Sequence, residues 1–250
     1  MKTVISLVLV LSCLTAGAAE PFITSLIYHR VDPHRTADSM NTPPARLEEH
    51  MNALRHAGIG TLTASEVTAI VSGGRRWPSA PQVAITFDDG FDSTAPEMFR
   101  QKGFAATWFI TTSLIGRPGY FSLQRLKDLS ENPMFEFGAH SVSHFVDWDG
   151  KTGTISDARQ QAELVESTRI LSVWLTRRIY QYAWPYGESN PGLWAIAASN
   201  GIVSTWGADA STVENSPGAD VRHLRRLNVS GKCTGAQVVE MVRTGKFNAC

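Results

Sequence analysis

The chain has 250 residues, and its 23 Lys and Arg side chains balance its 23 Asp and Glu side chains, so the formal net charge is zero. This balance and the lack of any basic run exclude the strongly basic surface that binds nucleic acid or an anionic membrane surface. Without repeats or low-complexity linkers, a chain of this length predicts one α/β domain, here over residues 20–250.

Residues 1–19 predict a secretory signal peptide. A positive charge at Lys2 is followed by the apolar run Val4–Leu14 and then by small residues. The apolar run is too short to predict a membrane-spanning helix, and this combination is typical of a cleaved signal. We therefore expect cleavage near Ala18 or Ala19 and a secreted or periplasmic mature protein without a membrane span.

Beyond this segment, apolar periodicity and helix-capping residues predict strands and helices in alternation. In chain order the first elements are strand Phe22–Val31, a helix beginning at Thr42-Pro43, strand Gly60–Thr63, helix Ser65–Ser72, strand Gln82–Phe87, helix Ala95–Lys102 and strand Ala105–Thr111. The next elements are helix Ser122–Leu129, strand Met134–Gly138, a helix from a capping box at Thr154–Asp157 to about Leu175, and strand Ile179–Ala183. The last elements are helix Gly192–Ser199, strands near Ile202–Thr205 and Leu224–Val229, and helix Gly235–Arg243. This alternation favours parallel strands with helices outside them.

Polar residues with catalytic chemistry follow three of the predicted strands. Asp88 and Asp89 come directly after the third strand, and His140 and His144 come after the fifth. The aromatic turn Trp184-Pro-Tyr-Gly187 comes after the sixth. In barrels of parallel strands the chemistry lies where strands end and loops begin, so we expect these residues to share one site.

Two histidines and two carboxylates are the components of a mononuclear metal hydrolase. A divalent metal polarises a carbonyl group and activates water, and three protein ligands with an open position hold it. His140 and His144 are four residues apart, so on a helical turn both imidazoles would face one point. One carboxylate would be the third ligand and the other the general base, although adjacent acids alone do not say which is which. Two nitrogen ligands and one oxygen ligand suit Zn²⁺, although cobalt, nickel or iron could occupy the same geometry.

In this order, the segments Thr86-Phe-Asp-Asp-Gly90, His140-Ser-Val-Ser-His144 and Trp184-Pro-Tyr-Gly187 resemble the motifs of the polysaccharide deacetylase family, which contains the NodB-homology domain. Members of this family remove acetyl groups from N-acetylated or O-acetylated sugar polymers. The resemblance implies a distorted (β/α) barrel, usually with seven parallel strands. It also implies that Asp88 is the general base and that Asp89 binds the metal together with the two histidines.

The third motif implies a groove shaped by Trp184, Pro185 and Tyr186, in which the backbone N–H of Tyr186 helps to hold the tetrahedral oxyanion. Many members carry an Arg just before this Pro, where it orients the base, but this chain has Trp184 there. Arg225 or Arg226 could supply the same function from another strand.

The general acid also departs from the common pattern. The family usually keeps a His on its last strand to protonate the leaving amine, but Leu224–Val229 has none. His29 ends the first predicted strand, and the first and last strands of a closed barrel are neighbours. This arrangement resembles the permuted branch of poly-β-1,6-N-acetylglucosamine deacetylases, which implies that His29 is the acid. On the first helix, His50 and His56 are expected at the surface or in a second layer.

Cys233 and Cys250 are the two cysteines that remain after cleavage of the signal peptide. In an oxidising compartment this even count predicts one disulfide.

These features together predict a secreted, monomeric metal-dependent hydrolase that removes acetyl groups from N-acetylhexosamine residues of a polysaccharide. One alternative is an esterase that removes O-acetyl groups from xylan or another polysaccharide. Another is a catalytically silent carbohydrate-binding protein, although an intact set of Asp88, Asp89, His140 and His144 argues against it. The polymer stays open between poly-β-1,6-N-acetylglucosamine, peptidoglycan, chitin oligomers and an acetylated exopolysaccharide.

Overall fold

The computed structural model describes residues 21–144, 157–208, 212, 215–247 and 250. The predicted signal peptide, residues 1–19, and the predicted cap at Thr154 lie outside these residues. None of the described helices combines the length and the apolar character that a membrane span needs.

The described residues form alternating strands and helices, as predicted. The strands are β1 (Thr24–Tyr28), β2 (Gly60–Leu62), β3 (Gln82–Phe87), β4 (Ala106–Ile110), β5 (Phe135–Ala139), β6 (Gln181–Ala183), β7 (Ser204–Trp206) and β8 (Leu227–Asn228). The helices are α1 (Pro44–His56), α2 (Ala64–Val71), α3 (Ala95–Lys102), α4 (Leu123–Ser130), α5 (Asp157–Leu175), α6 (Pro191–Ser199) and α7 (Gly235–Thr244). Several strands are shorter than predicted, most clearly the first and the last.

Seven strands form one curled parallel sheet in the order β7-β6-β5-β4-β3-β1-β8. The short strand β2 pairs with the first half of β3. Past the end of the sheet, Trp206 of β7 forms an isolated parallel bridge with Leu224, three residues before β8. The two edges of the sheet therefore approach each other, and the fold is the predicted distorted (β/α) barrel.

Aromatic packing supports the end of β3, where the segment Asp88-Asp89-Gly90 begins. The ring of Phe87 lies 5.5 Å from Tyr28, 5.3 Å from Trp108 and 5.5 Å from Phe99, measured between centroids. All four side chains are buried, and aromatic pairs at such distances stabilise a core beyond the area that they bury. The backbone that enters Asp88 is consequently held on several sides.

Helix α1 begins slightly later than predicted. Pro43 is its N-cap residue and no side chain caps it, so Thr42 does not begin the helix as expected. The backbone N–H of Thr42 instead donates to the carbonyl of Arg30, which ties the start of α1 to the segment after β1. Both histidines of this helix were expected at the surface or in a second layer. His56 is exposed, whereas His50 is fully buried.

The predicted disulfide between Cys233 and Cys250 is present, with Cα atoms 4.9 Å apart. The carbonyl of Cys233 accepts a hydrogen bond from Nε2 of His50 at 2.7 Å. Because that nitrogen carries the proton, Nδ1 of His50 accepts from the hydroxyl of Tyr28 at 3.2 Å. The disulfide is thereby connected through buried polar groups to the strand that precedes His29.

Replacing Cys233 and Cys250 together with Ser should lower the free energy of unfolding by about 3 kcal/mol, because the disulfide constrains a short loop of the unfolded chain. Urea unfolding of the oxidised protein and the double variant measures this difference. The double variant avoids a single reactive thiol, and reduced wild type serves as its control. Equal unfolding midpoints, or two free thiols in the mass of non-reduced protein, would contradict the prediction.

Candidate active site

The predicted site residues converge at the carboxyl ends of the parallel strands. His29 follows β1, Asp88 follows β3, His140 follows β5 and Trp184 follows β6. A cavity of about 320 Å³ opens among them, lined by Ile27, His29, Met40, Asp88, His140, His144, Trp184, Tyr186, Ala208, Asn228 and Phe247. The structure thus brings together residues from four separate strand ends.

A sharp backbone turn orients the two neighbouring carboxylates. The N–H of Asp88 still continues the sheet by donating to the carbonyl of Tyr28 at 2.9 Å. Asp89 then adopts a positive φ of 73°, followed by Gly90 at 87°. A non-glycine residue in this region costs about 1–3 kcal/mol, so the surrounding fold must hold it there. Asp88 and Asp89 accordingly have different partners.

Asp89, His140 and His144 form a group of metal-ligating type, with one ligand atom of each lying within 4.8 Å of the others. Oδ1 of Asp89 lies 3.5 Å from Nε2 of His140 and 3.3 Å from Nε2 of His144. Nδ1–H of His140 donates to the carbonyl of Ala183 at 2.8 Å, which leaves the Nε2 lone pair available. Oδ1 of Asp89 is buried and has no hydrogen-bond partner among the described residues. These donor atoms fit a divalent cation.

The two histidines converge through a loop, and the expectation of a helical turn was wrong. Ser141 and His144 have positive φ angles of 65° and 55°. Oγ of Ser141 accepts from the N–H of His144 at 2.8 Å, while Glu163 of α5 accepts from both intervening N–H groups at 2.8 Å. The imidazole rings of His140 and His144 nevertheless lie 4.9 Å apart.

Arg226 holds the Asp88 carboxylate from both oxygens. Its Nη1 donates to Oδ1 at 2.7 Å and its Nη2 to Oδ2 at 2.9 Å. The guanidinium is fully buried and also donates to Thr86 and to the carbonyl of Gly207. Burial raises the pKa of Asp88, but the charge of Arg226 and the hydrogen bonds that it donates outweigh burial and lower this pKa to about 2. Of the two arginines named from the sequence, the exposed Arg225 does not occupy this position.

His29 lines the cavity and is half-buried at the end of the first strand. Strand β1, which ends just before His29, pairs with β8 on one side and with β3 on the other, which confirms that the first and last strands lie side by side. Nδ1 of His29 is buried without a hydrogen-bond partner among the described residues. Burial lowers the pKa of His29, and the charges of Asp88 and Asp89 oppose this shift.

The turn after β6 places three motif residues in different environments. Trp184 and Pro185 are buried, whereas Tyr186 is 66% exposed and has a φ of 58°. The ring of Tyr186 lies 4.7 Å from that of His144, so it covers one side of the ligand group. Gly187 has a φ of 76°, and a Cβ atom there would lie 2.6 Å from the backbone nitrogen of Ala208. Only glycine fits this position without displacing the next loop.

Five of the cavity residues were not identified from the sequence, and three of them stand out. Met40 and Phe247 are exposed apolar side chains at the cavity, and Asn228 ends β8 beside the strand of His29. The amide oxygen of Asn228 is buried without a partner among the described residues. Asn228 could have been identified from its position at the end of the last predicted strand. Met40 and Phe247 lie in segments with no periodic pattern, so no feature of the sequence indicated them.

Comparisons with known proteins agree with this geometry. The family model described as "Polysaccharide deacetylase" matches residues 76–204, slightly more than half of the chain. YxkH of Bacillus subtilis (strain 168), which carries the name of a polysaccharide deacetylase, is 22% identical over 221 residues, covering 86% of this chain and 76% of YxkH.

Two solved structures show the same fold. The deacetylase PplD of Streptococcus pyogenes, in complex with acetate, has a TM-score of 0.76 at 18% identity and covers 89% of this chain and 99% of its own. IcaB from Ammonifex degensii has a TM-score of 0.76 at 22% identity, with 89% and 96% covered. With the family model, the three motifs and the barrel in agreement, the chain belongs to the polysaccharide deacetylase family.

Proposed function

We propose that the protein is a metal-dependent hydrolase that removes acetyl groups from N-acetylhexosamine residues of a polysaccharide. One observation carries this proposal: Asp89, His140 and His144 converge beside a second carboxylate, Asp88, which Arg226 keeps ionised. A protein that only binds carbohydrate needs no ionised base beside a metal-binding group. The family model described as "Polysaccharide deacetylase", which matches residues 76–204, is a further reason to consider a sugar polymer as substrate.

Asp89, His140 and His144 would hold the metal, and their two nitrogen atoms and one oxygen atom favour Zn²⁺. When bound, such an ion polarises the acetyl carbonyl and lowers the pKa of water. The buried, unpartnered Oδ1 of Asp89 gains a partner in this state. Ala183 fixes the ring of His140 through Nδ1 and so keeps its other nitrogen directed at the site.

Asp88 would accept the proton of the attacking water. Its bidentate contact with Arg226 fixes the plane of the carboxylate, which is the positioning that a general base requires. Because its pKa is about 2, Asp88 is ionised before the reaction and is able to accept a proton. The backbone N–H of Tyr186 would stabilise the oxyanion, with Trp184 and Pro185 shaping that wall of the cavity.

His29 would protonate the departing amine, since expulsion of an anionic amide is prohibitively costly. Its side chain lines the cavity from the strand next to β8, and one ring nitrogen has no partner among the described residues. The nearby carboxylates of Asp88 and Asp89 favour the protonated form against the effect of burial. A histidine that acts as the acid affects amide cleavage more than ester cleavage, whereas a purely structural histidine affects both equally.

Replacing His29 with Ala should leave metal content unchanged but lower kcat for amide cleavage by about 10²–10⁴-fold, the usual effect of a positioned acid. Cleavage of an activated acetyl ester should fall far less, because its leaving group needs little protonation. The measurement is kcat for both substrates with zinc-loaded protein, and His56→Ala, an exposed position, serves as control. Equal losses on both substrates would indicate a structural function for His29.

The proposed function is tested by acetate release from a panel of glycans with and without a chelator. Poly-β-1,6-N-acetylglucosamine, peptidoglycan, chitin oligomers and O-acetylated xylan cover the polymers left open by the sequence. We expect release from an N-acetylated member, loss with chelator and recovery with Zn²⁺. Release from xylan alone would favour the esterase, and purified protein without metal or activity would favour a carbohydrate-binding protein.

A further inference from the structure

A second, larger cavity of about 710 Å³ lies next to the catalytic residues, and the proposed reaction does not use it. Its walls come from the continuations of the same strand ends: Arg30 follows His29, and Phe91 follows the Asp88–Gly90 turn. Tyr120, from the segment between β4 and α4, also lines the cavity. A cavity of this size is within the range of sites for small ligands, about 300–1,000 Å³.

Arg30 is immobilised in this cavity by an aromatic stack. Its guanidinium carbon lies 4.1 Å from the centroid of the Phe91 ring. The ring of Tyr120 stacks on Phe91 with centroids 4.7 Å apart. One ring face cannot hold both groups, so Phe91 lies between the guanidinium and Tyr120. An antiparallel bridge between Phe91 and Tyr120 also fixes the two backbones. This cation–π contact orders the guanidinium without neutralising its charge.

The other arginines of this cavity are already paired with carboxylates. Arg125 contacts Asp92 at 2.7 Å and Glu97 at 3.0 Å, and Arg35 contacts Asp32 at 3.5 Å.

Within the part of the chain that the structure describes, Arg30 makes neither an ion pair within 4.0 Å nor a side-chain hydrogen bond. An ordered and unpaired guanidinium is suited to a carboxylate, which it can bind through two parallel hydrogen bonds.

We propose that this cavity binds a hexuronate residue of the polymer, with its carboxylate on Arg30, next to the sugar that loses its acetyl group. The inference rests on the proposed function and narrows its substrate to an acidic polysaccharide. Phe91 and Tyr120 keep Arg30 in place, and Ser93 and Thr94 also line the cavity.

The test uses two hexasaccharides that differ only in charge. One alternates N-acetylglucosamine with glucuronate, and the other is the same molecule with its carboxylates reduced to alcohols. For zinc-loaded wild type we expect kcat/KM to be about tenfold higher for the charged probe, as for one charge-assisted pair. Arg30→Gln should remove this preference, Arg30→Lys should keep part of it, and Arg76→Gln, an exposed site before β3, should keep all of it.

Each outcome separates this inference from the proposed function. Acetate release from both probes at equal kcat/KM, or a preference that survives in Arg30→Gln, would overturn the acidic subsite and leave the deacetylase intact. If neither probe releases acetate, the dissociation constants from calorimetry decide, because binding needs no turnover. A tenfold preference that depends on Arg30 would then support the subsite without the reaction. Thermal unfolding of the Arg30 variants establishes that they are folded.

Discussion

Replacing Asp88 with Asn should lower kcat by about 10²–10⁴-fold while the protein keeps close to one equivalent of metal. The amide cannot accept the proton of the attacking water, but it preserves the size of the side chain. Asp89, His140 and His144 keep all three ligand atoms in this variant. The measurements are kcat for acetate release at saturating substrate and metal analysis of the purified variant.

The control for this prediction is His140→Ala, which should lose both metal and activity because it removes a ligand. The contrast between the two variants separates the base from the ligand group. If Asp88→Asn loses the metal and Asp89→Asn retains it, then the functions of the two aspartates are the reverse of our assignment. Full metal and activity in His140→Ala would contradict the metal site itself.

Replacing Arg226 with Met should destabilise the protein by about 3–5 kcal/mol, because it leaves the Asp88 carboxylate buried without its ion-pair partner. Both oxygens of Asp88 lose their donors, and Thr86 and the carbonyl of Gly207 lose hydrogen bonds as well. Activity should fall together with stability, because the base is no longer fixed in its plane. Urea unfolding and kcat below the unfolding midpoint measure the two effects.

Two matched variants make the Arg226 prediction specific. Arg225→Met changes the exposed neighbour and should lower the free energy of unfolding less than Arg226→Met does, because the buried pair of Arg226 and Asp88 stays in place. Arg226→Lys keeps the charge but not the two-pronged contact, so it should recover stability more than activity. An Arg226→Met protein as stable and as active as wild type would show that the buried pair does not hold the base.

Local patterns were sufficient for the barrel and for most of the site. Strand β3 and the Asp88–Asp89 pair are contiguous in the sequence, and the ligand types of His140 and His144 identify the chemistry without any knowledge of their conformation. The loop between the histidines was mistaken for a helical turn because positive φ angles at Ser141 and His144 have no signature in non-glycine residues. The convergence of Asp89, His140 and His144 was therefore predicted from an incorrect local structure.

The partner of Asp88 could not be chosen from the sequence. Consecutive strand residues point to opposite sides, so only one of Arg225 and Arg226 can face inward. The choice depends on how β8 aligns with β1, where Leu26 lies opposite Leu227. That alignment is a tertiary property, and a strand of two residues is too short to reveal it by alternation.

The pairing of β1 with β8 also has a consequence for how the molecule acquires its activity. These strands are about 200 residues apart in the chain, and contacts of such long range are formed slowly because a large loop must close first. Arg226 lies just before β8 and 138 residues after Asp88, so its ion pair with Asp88 forms only when β8 pairs with β1. Until then the Asp88 carboxylate has no counter-ion, although it is buried in the folded protein. Enzymatic competence should therefore appear only at the final kinetic step of folding, after most of the helical structure is in place.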